Sequence, residues 1–140
     1  TLKAKAHATE GSTRVDIDSL KEPSIKPAPP FFLYLAYNAP HCPIQPPKEW
    51  KDKVVAREKG IDPKRAANVA FIEHLDHEIG KVINSLKKLG LSKDTIVIFT
   101  SDNGGSIPHA QRNLPLRGGK QDHWEGGIRV PTCVVWSGKI

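Results

Sequence analysis

The strongest constraint on the fold is a long stretch, residues 64–89, in which apolar residues recur at spacings of three and four. This spacing places them on one face of a helix. Asp62 can cap its first turn, Pro63 suits its first position, and Gly90 suits the position after its last turn. The periodic residues are Val69, Ile72, Leu75, Ile79, Val82, Leu86 and Leu89. We therefore predict one long amphipathic helix over residues 64–89.

Short apolar segments lie on both sides of this helix. They are "FFLYLAY" (31–37), "TIVIFT" (95–100) and "TCVVW" (132–136), all rich in β-branched or aromatic residues that favour strands. The first is apolar on both alternating faces, as in a strand that is covered on both sides. Strand, long helix, strand is the pattern of a right-handed parallel crossover. The order predicts an α/β fold with a parallel sheet and a further strand after it.

The rest of the chain adds few constraints. Residues 1–30 are polar, rich in proline towards their end and without periodicity, which predicts an irregular approach segment before an ordered domain at 31–140. Cys42 and Cys133 lie far apart and in no metal-ligand pattern, as expected of packed thiols. The sequence does not predict an oligomeric state.

The positive charge of the chain leaves two kinds of partner to consider. The formal net charge is +6, and the 21 Lys and Arg residues are spread along the sequence. A polyanion could bind such a surface, but a nucleic-acid module needs a basic stripe on a recognisable fold, so we do not expect nucleic acid as a partner. No run of about 18 apolar residues is present, so we predict no membrane span.

Polar residues follow two of the predicted strands. Asp102 and Asn103 come after the strand at 95–100, and Asn38 and His41 come after the strand at 31–37. Ligands of open α/β sheets bind beyond the carboxyl ends of the strands. An Asp and an Asn supply hard oxygen ligands suited to Ca²⁺ or Mg²⁺, although Ca²⁺ takes about six to eight oxygens, so further ligands are required. A simple turn explains the same residues equally well.

The loop from Asn113 to Pro131 is long and rich in glycine and charged residues. Loops of this kind are more often functional than merely connecting. Lys120 within it is able to meet an anionic group as a point charge, and a solvated lysine is the alternative.

Three segments together resemble a known family. "YLAYNAPHCPIQPP", "TIVIFTSDNGG" and "LRGGKQDHWEGGIRVP", in this order and with a helix between the first two, closely resemble the formylglycine-dependent sulfatases of the alkaline-phosphatase superfamily. The resemblance extends over residues 31–136 and does not include residues 1–30. It implies that residues 31–140 are part of an alkaline-phosphatase-like α/β catalytic domain.

The resemblance also implies roles for individual residues. Asp102 and Asn103 match the family's ligands of a divalent cation, usually Ca²⁺, with Mg²⁺ possible. His41 matches the histidine that contacts the sulfate ester and protonates the leaving oxygen. Lys120 matches the lysine that binds the sulfate oxygens. The substrate would be a sulfate ester of an aryl group, a sugar or a glycosaminoglycan, and the compartment periplasmic, secreted or lysosomal.

The remaining histidines are less specific. His109 and His123 flank the glycine-rich loops at the expected mouth of the site, so we predict that they contact substrate. His74 and His77 lie on the long helix, where a solvated or helix-packing role is favoured over metal binding.

Parts of the family's site are missing from residues 1–140. The formylglycine nucleophile is made from the Cys or Ser of a Cys/Ser-x-Pro-x-Arg motif, and no such motif occurs; Cys42, followed by Pro43, is not a substitute. The family's paired aspartate ligands are absent as well. We therefore expect an internal segment of a sulfatase, with the formylglycine upstream. By itself the segment should not turn over substrate and should bind Ca²⁺ only weakly.

Two other functions stay open at this point. A phosphomonoesterase or phosphodiesterase of the same superfamily would present similar metal and cationic groups to a tetrahedral oxyanion. A non-enzymatic module that binds polyanions would use the positive charge alone.

Overall fold

The structure is a computed structural model that describes residue 13 and residues 30–140. The segment predicted to be irregular, 1–30, thus lies outside the described residues except at Thr13 and Pro30. Thr13 is buried, and its hydroxyl lies 3.1 Å from that of Tyr37. In chain order the elements are helix α1 (Lys48–Arg57), helix α2 (Pro63–Lys88), strand β1 (Ile96–Thr100), a 3₁₀ turn (Ile107–His109), the short helix α3 (Glu125–Ile128) and strand β2 (Thr132–Trp136).

Helix α2 confirms the predicted amphipathic helix, including both of its ends. At the start, the Asp62 carboxylate accepts a hydrogen bond from the Arg65 backbone N–H at 2.9 Å. At the end, Gly90 has a positive φ of 73°, and the Leu91 N–H donates to the Leu86 carbonyl at 2.9 Å. These are the bonds of a side-chain N-cap and of a glycine-terminated C-cap.

Helix α1 was not predicted, and it packs against α2. Val54, Ala66 and Ala70 are fully buried between the two helices, and Trp50 and Ile61 cover their edges. Small alanine side chains allow the helices to approach closely. Val54 is the single buried residue of α1. The sequence of α1 therefore has too little apolar periodicity to predict a helix.

An ion pair adds a polar link between the same helices. The Arg57 guanidinium on α1 donates to Glu73 on α2 and to the neighbouring Glu58, each at 2.8 Å. Hydrogen bonds to Glu73, then to Glu58, raise the pKa of Arg57 above its usual value. Since the arginine side chain is about half exposed (52%), the pair is worth little stability.

A second apolar cluster fixes the loop that carries His41. Ala39, Phe71 and Leu75 are buried together, with Tyr37 and Ile44 packed against them. The backbone on both sides of His41 is therefore held against α2.

The sheet has two described strands, and they are antiparallel. Ile96 of β1 lies opposite Trp136 of β2, and Thr100 lies opposite Thr132. The predicted strands at 95–100 and 132–136 are confirmed to within one residue. The segment 31–37, predicted as a strand, joins no sheet among the described residues, so the parallel crossover to β1 is not confirmed. A strand exists only where another strand pairs with it, and local sequence does not supply the partner.

A wide cleft of about 2930 Å³ lies between residues 30–45, the apolar face of α2 and β1, and extends to the loops that follow β1. Apolar side chains are exposed in it, including Phe32 (93%) and Ile98 (65%). No helix in the described part of the chain is both long and apolar enough to cross a membrane.

Candidate functional site

Asp102 and Asn103 lie just beyond the carboxyl end of β1, as predicted, and line the cleft. Asp102 is exposed; its Oδ1 accepts a hydrogen bond from the Asn103 N–H at 3.0 Å. The Asn103 side chain donates from Nδ2 to the Gly104 carbonyl at 2.9 Å, which directs its own oxygen away from that carbonyl. The two adjacent residues thus present a carboxylate and an amide oxygen at one end of the strand.

Glycine backbones hold this end of β1 against the glycine-rich loop. The Gly104 N–H donates to the Gly127 carbonyl at 2.9 Å, and the Gly126 N–H donates to the Arg117 carbonyl at 2.7 Å. A Cβ on Gly104 would lie 1.7 Å from the Gly126 carbonyl oxygen, and one on Gly119 would lie 2.6 Å from the Gly105 carbonyl oxygen. Since no side chain fits between them, the segments 104–105 and 117–127 are in direct backbone contact.

This contact ties the backbone of Lys120 to Gly105, two residues after Asn103. The Lys120 N–H donates to the Gly105 carbonyl at 3.0 Å, and the half-buried side chain lines the same cleft. The turn that carries it is closed by Asp122, whose carboxylate accepts from the Gly119 N–H at 2.8 Å. Backbone contact thus joins the loop of Lys120 to the segment that follows Asp102 and Asn103, and all three residues line the cleft.

His41 lines the cleft from the opposite segment, after the apolar stretch 31–37. Its N–H donates to the Asn38 carbonyl at 2.7 Å, and its ring Nδ1 lies 2.7 Å from the Cys42 carbonyl oxygen. Because a carbonyl oxygen only accepts, Nδ1 carries the proton and Nε2 is the ring nitrogen left to meet a ligand.

The structure separates the two histidines predicted to contact substrate. His109 lines the cleft, with its Nδ1 2.8 Å from the Ser106 hydroxyl. His123 is exposed and is not among the described residues that line the cleft.

His74 and His77 agree with the packing and solvated roles favoured for them. The His74 ring is buried, 3.6 Å from the Glu78 carboxylate, and Glu78 in turn accepts from Lys81 at 2.6 Å. His77 is exposed. The Trp50 ring contacts both histidine rings, with centroid distances of 5.6 Å to His74 and 5.3 Å to His77.

Three amide side chains near the site match no sequence motif: Asn68, Gln111 and Asn113. Each donates to or accepts from backbone groups of the loops that carry the candidate residues. A lone Asn or Gln has no distinctive spacing, so nothing in the sequence marks these positions.

Comparison with known proteins decides the family. The profile described as "Sulfatase" matches residues 9–140. The chain belongs to the sulfatase family. It is 36% identical over 144 residues to a sulfatase of Formosa agariphila, a match that covers 96% of this chain and 26% of the relative. It is 36% identical over 115 residues to the N-acetylgalactosamine-6-sulfatase of Rattus norvegicus, with 79% and 20% covered.

A solved structure of a related chain shares the fold. The crystal structure of Ps i-CgsB in complex with k-i-k-neocarrahexaose has a TM-score of 0.87 and 33% identity, with 98% of this chain and 30% of that chain covered. The predicted α/β class is thus confirmed. The sulfatase chain described here spans about a quarter of the length of its Formosa relative.

The sulfatase family implies a divalent cation, and the donor atoms at the end of β1 fit one in part. Asp102 and Asn103 offer the hard oxygens that Ca²⁺ and Mg²⁺ prefer. Within residue 13 and residues 30–140, no three His, Cys, Asp or Glu side chains are grouped to hold a metal ion. Asp102 and Asn103 alone would supply only a share of the oxygens that such a cation needs.

Proposed function

We propose that this chain is part of a sulfatase that hydrolyses sulfate esters of sugars, with Asp102, Asn103, Lys120 and His41 in its active site. The observation that carries the proposal is the backbone contact between Lys120 and Gly105. This contact joins the loop that carries Lys120 to the segment that carries Asp102 and Asn103. His41 lines the same cleft. Sulfate-ester chemistry uses these three kinds of group together.

Each group answers a charge that the reaction creates. Hydrolysis breaks the ester S–O bond, and the bonding electrons leave on the alcohol oxygen, which then takes up a proton. The Lys120 ammonium offsets negative charge on the sulfate oxygens. The Nε2 of a protonated His41 donates the proton to the leaving oxygen as a general acid.

A divalent cation and a nucleophile complete the proposed site. Asp102 and Asn103 would hold the cation, Ca²⁺ or Mg²⁺, which supplies further positive charge beside the sulfate oxygens when it is bound. The nucleophile, a formylglycine, comes from outside residues 1–140, since the motif that produces it does not occur within them.

Sugar sulfates are the favoured substrates within the aryl, sugar and glycosaminoglycan classes. One relative is named for the 6-sulfate of N-acetylgalactosamine, and a related structure was solved with a neocarrahexaose.

We also propose that residues 31–37 become a strand of a larger, mainly parallel sheet in the complete domain. The side chains of Phe32 and Tyr34 are 93% and 80% exposed, and the cleft separates this segment from β1. Further strands in the cleft would cover both apolar surfaces. Backbone amides of 32–36 should then resist hydrogen exchange in the full-length protein, and rapid exchange would contradict the proposal.

Sulfate release by the full-length protein tests the function. We expect turnover of N-acetylgalactosamine 6-sulfate but not of the matching phosphate ester. Lys120→Gln should lower kcat/KM by about 100- to 1000-fold, the range for loss of one group that stabilises the transition-state anion. Lys87→Gln is the matched control, because Lys87 is exposed at the far end of α2.

Two results would overturn the proposal. Preferential turnover of the phosphate ester would point to the phosphoesterase alternative. Heparin binding without turnover, unaffected by Lys120→Gln or Asp102→Ala, would favour the polyanion-binding module.

A further inference from the structure

The side-chain amides of Asn68 and Gln111 join three separate segments behind His41. Gln111 Nε2 donates to the Pro40 carbonyl at 3.1 Å and lies 3.3 Å from Asn68 Oδ1. Gln111 Oε1 accepts from the Ser106 N–H at 2.6 Å. Both ends of this amide therefore contact protein groups.

Asn68 anchors this link to the rigid helix α2. It is 1% exposed, and its Nδ2 donates to the Lys64 carbonyl at 3.1 Å and to the His109 carbonyl. A buried amide with its hydrogen bonds made in this way has one stable orientation. The contact with Asn68 therefore fixes the Gln111 side chain relative to α2.

The Pro40 carbonyl matters because it belongs to the peptide bond that leads into His41. That bond is planar, so the position of the carbonyl oxygen also fixes the backbone N–H of His41. The Nε2 of Gln111 donates to this Pro40 oxygen, and the Oε1 of Gln111 accepts from the Ser106 N–H. Ser106 directly follows Gly105, which is bonded to Lys120. One amide thus spans the gap between the two halves of the candidate site.

We propose that Gln111, supported by Asn68, is a positioning residue that sets the location of His41 relative to Lys120. This inference rests on the proposed function, in which His41 protonates the leaving oxygen. Gln111 acts through the Pro40 peptide, and its amide atoms are engaged by the protein. Without it, the His41 loop keeps its apolar anchors but loses the polar contact that aligns it with the sulfate-binding side.

The test compares leaving groups in the full-length sulfatase. Proton donation matters most for a poor leaving group, such as a sugar alcohol, and little for 4-nitrophenolate. We expect Gln111→Ala to lower kcat about tenfold on the sugar sulfate and less than about threefold on 4-nitrophenyl sulfate. Asn84→Ala, on an exposed position of α2, serves as the control and should change neither value.

A double-mutant comparison separates positioning from general loss of structure. If Gln111 acts through His41, then adding Gln111→Ala to His41→Ala should cause no further loss on the sugar sulfate. Gln111→Glu keeps the size and the acceptor for Ser106 but removes the donor to Pro40, so it is expected to show the same dependence on the leaving group. Gln111→Glu is measured together with Gln111→Ala. If the alanine variant does not fold, the glutamate variant alone tests the positioning role.

The outcomes are distinct. An equal loss on both substrates, or losses that add to those of His41→Ala, would overturn the positioning role while leaving the proposed function intact. A full-length protein with no turnover of either sulfate ester would overturn the proposed function itself, and the inference with it.

Discussion

The side chain of Asn113 binds both backbone polar groups of Gly105. Its Oδ1 accepts from the Gly105 N–H at 2.7 Å, and its Nδ2 donates to the Gly105 carbonyl at 2.9 Å. The same Nδ2 also donates to the Gly118 carbonyl at 3.1 Å. One amide therefore ties the loop after β1 to the loop that carries Lys120.

Replacing this amide with a carboxylate should disturb the site. Asn113→Asp removes the two donors and places a negative charge beside two carbonyl oxygens. We expect the free energy of unfolding to fall by about 1–3 kcal/mol, and kcat/KM of the full-length sulfatase to fall about tenfold or more. Denaturant unfolding and sulfate release measure the two effects. Asn84→Asp, exposed on α2, is the matched control, and an equal effect there would contradict the prediction.

Gly104 should tolerate no side chain. A Cβ there would lie 1.7 Å from the Gly126 carbonyl oxygen, so Gly104→Ala must push the two loops apart. We expect a loss of more than about 3 kcal/mol in the free energy of unfolding.

Gly80 provides the contrast to Gly104. It lies inside α2, and no heavy atom outside its own helical turn lies within 4 Å of an added Cβ. Gly80→Ala should raise the free energy of unfolding by about 0.5–1 kcal/mol, since alanine favours the helix. Similar effects of the two substitutions would show that backbone contact is not what requires Gly104.

Close packing of α1 on α2 makes Ala70 sensitive to size. Ala70 is fully buried beside Val54. We expect Ala70→Leu to lower the free energy of unfolding by about 1–3 kcal/mol, because the added atoms have no space. Ala56→Leu on the exposed side of α1 should change it little. Thermal unfolding compares the two, and a stable Ala70→Leu variant would mean that the helices are less closely packed.

Asp62 is expected to stabilise α2 through its side-chain cap. Asp62→Ala removes the acceptor for the Arg65 N–H and should cost about 1 kcal/mol. Asp62→Asn keeps an oxygen at the same place and should cost much less. If both variants lose the same stability, the charge of Asp62 rather than its hydrogen bond is responsible.

Helix α2 illustrates what local sequence is able to predict. Its periodicity, its Asp62 cap and its Gly90 terminus all act within a few residues along the chain, and the structure confirms each of them. Helix α1 was not predicted, because its one buried residue, Val54, does not give an apolar residue every three or four positions.

Some residues of the candidate site were predicted from the sequence, and others were found only in the structure. Asp102, Asn103, His41 and Lys120 were identified from motifs, and the structure places all four along one cleft. Gln111 and Asn113 were not identified, because their importance comes from the groups that they meet 71 and eight residues away, at Pro40 and Gly105.

The sequence by itself determined the α2 helix, the strand character of 96–100 and 132–136, and the family, since these follow from local periodicity and contiguous motifs. Only the tertiary structure decided that β1 and β2 pair antiparallel, that residues 31–37 join no described strand, and that His109 rather than His123 faces the cleft. The physical reason is that strand pairing and side-chain direction depend on partners distant in the chain, whose positions no local pattern specifies.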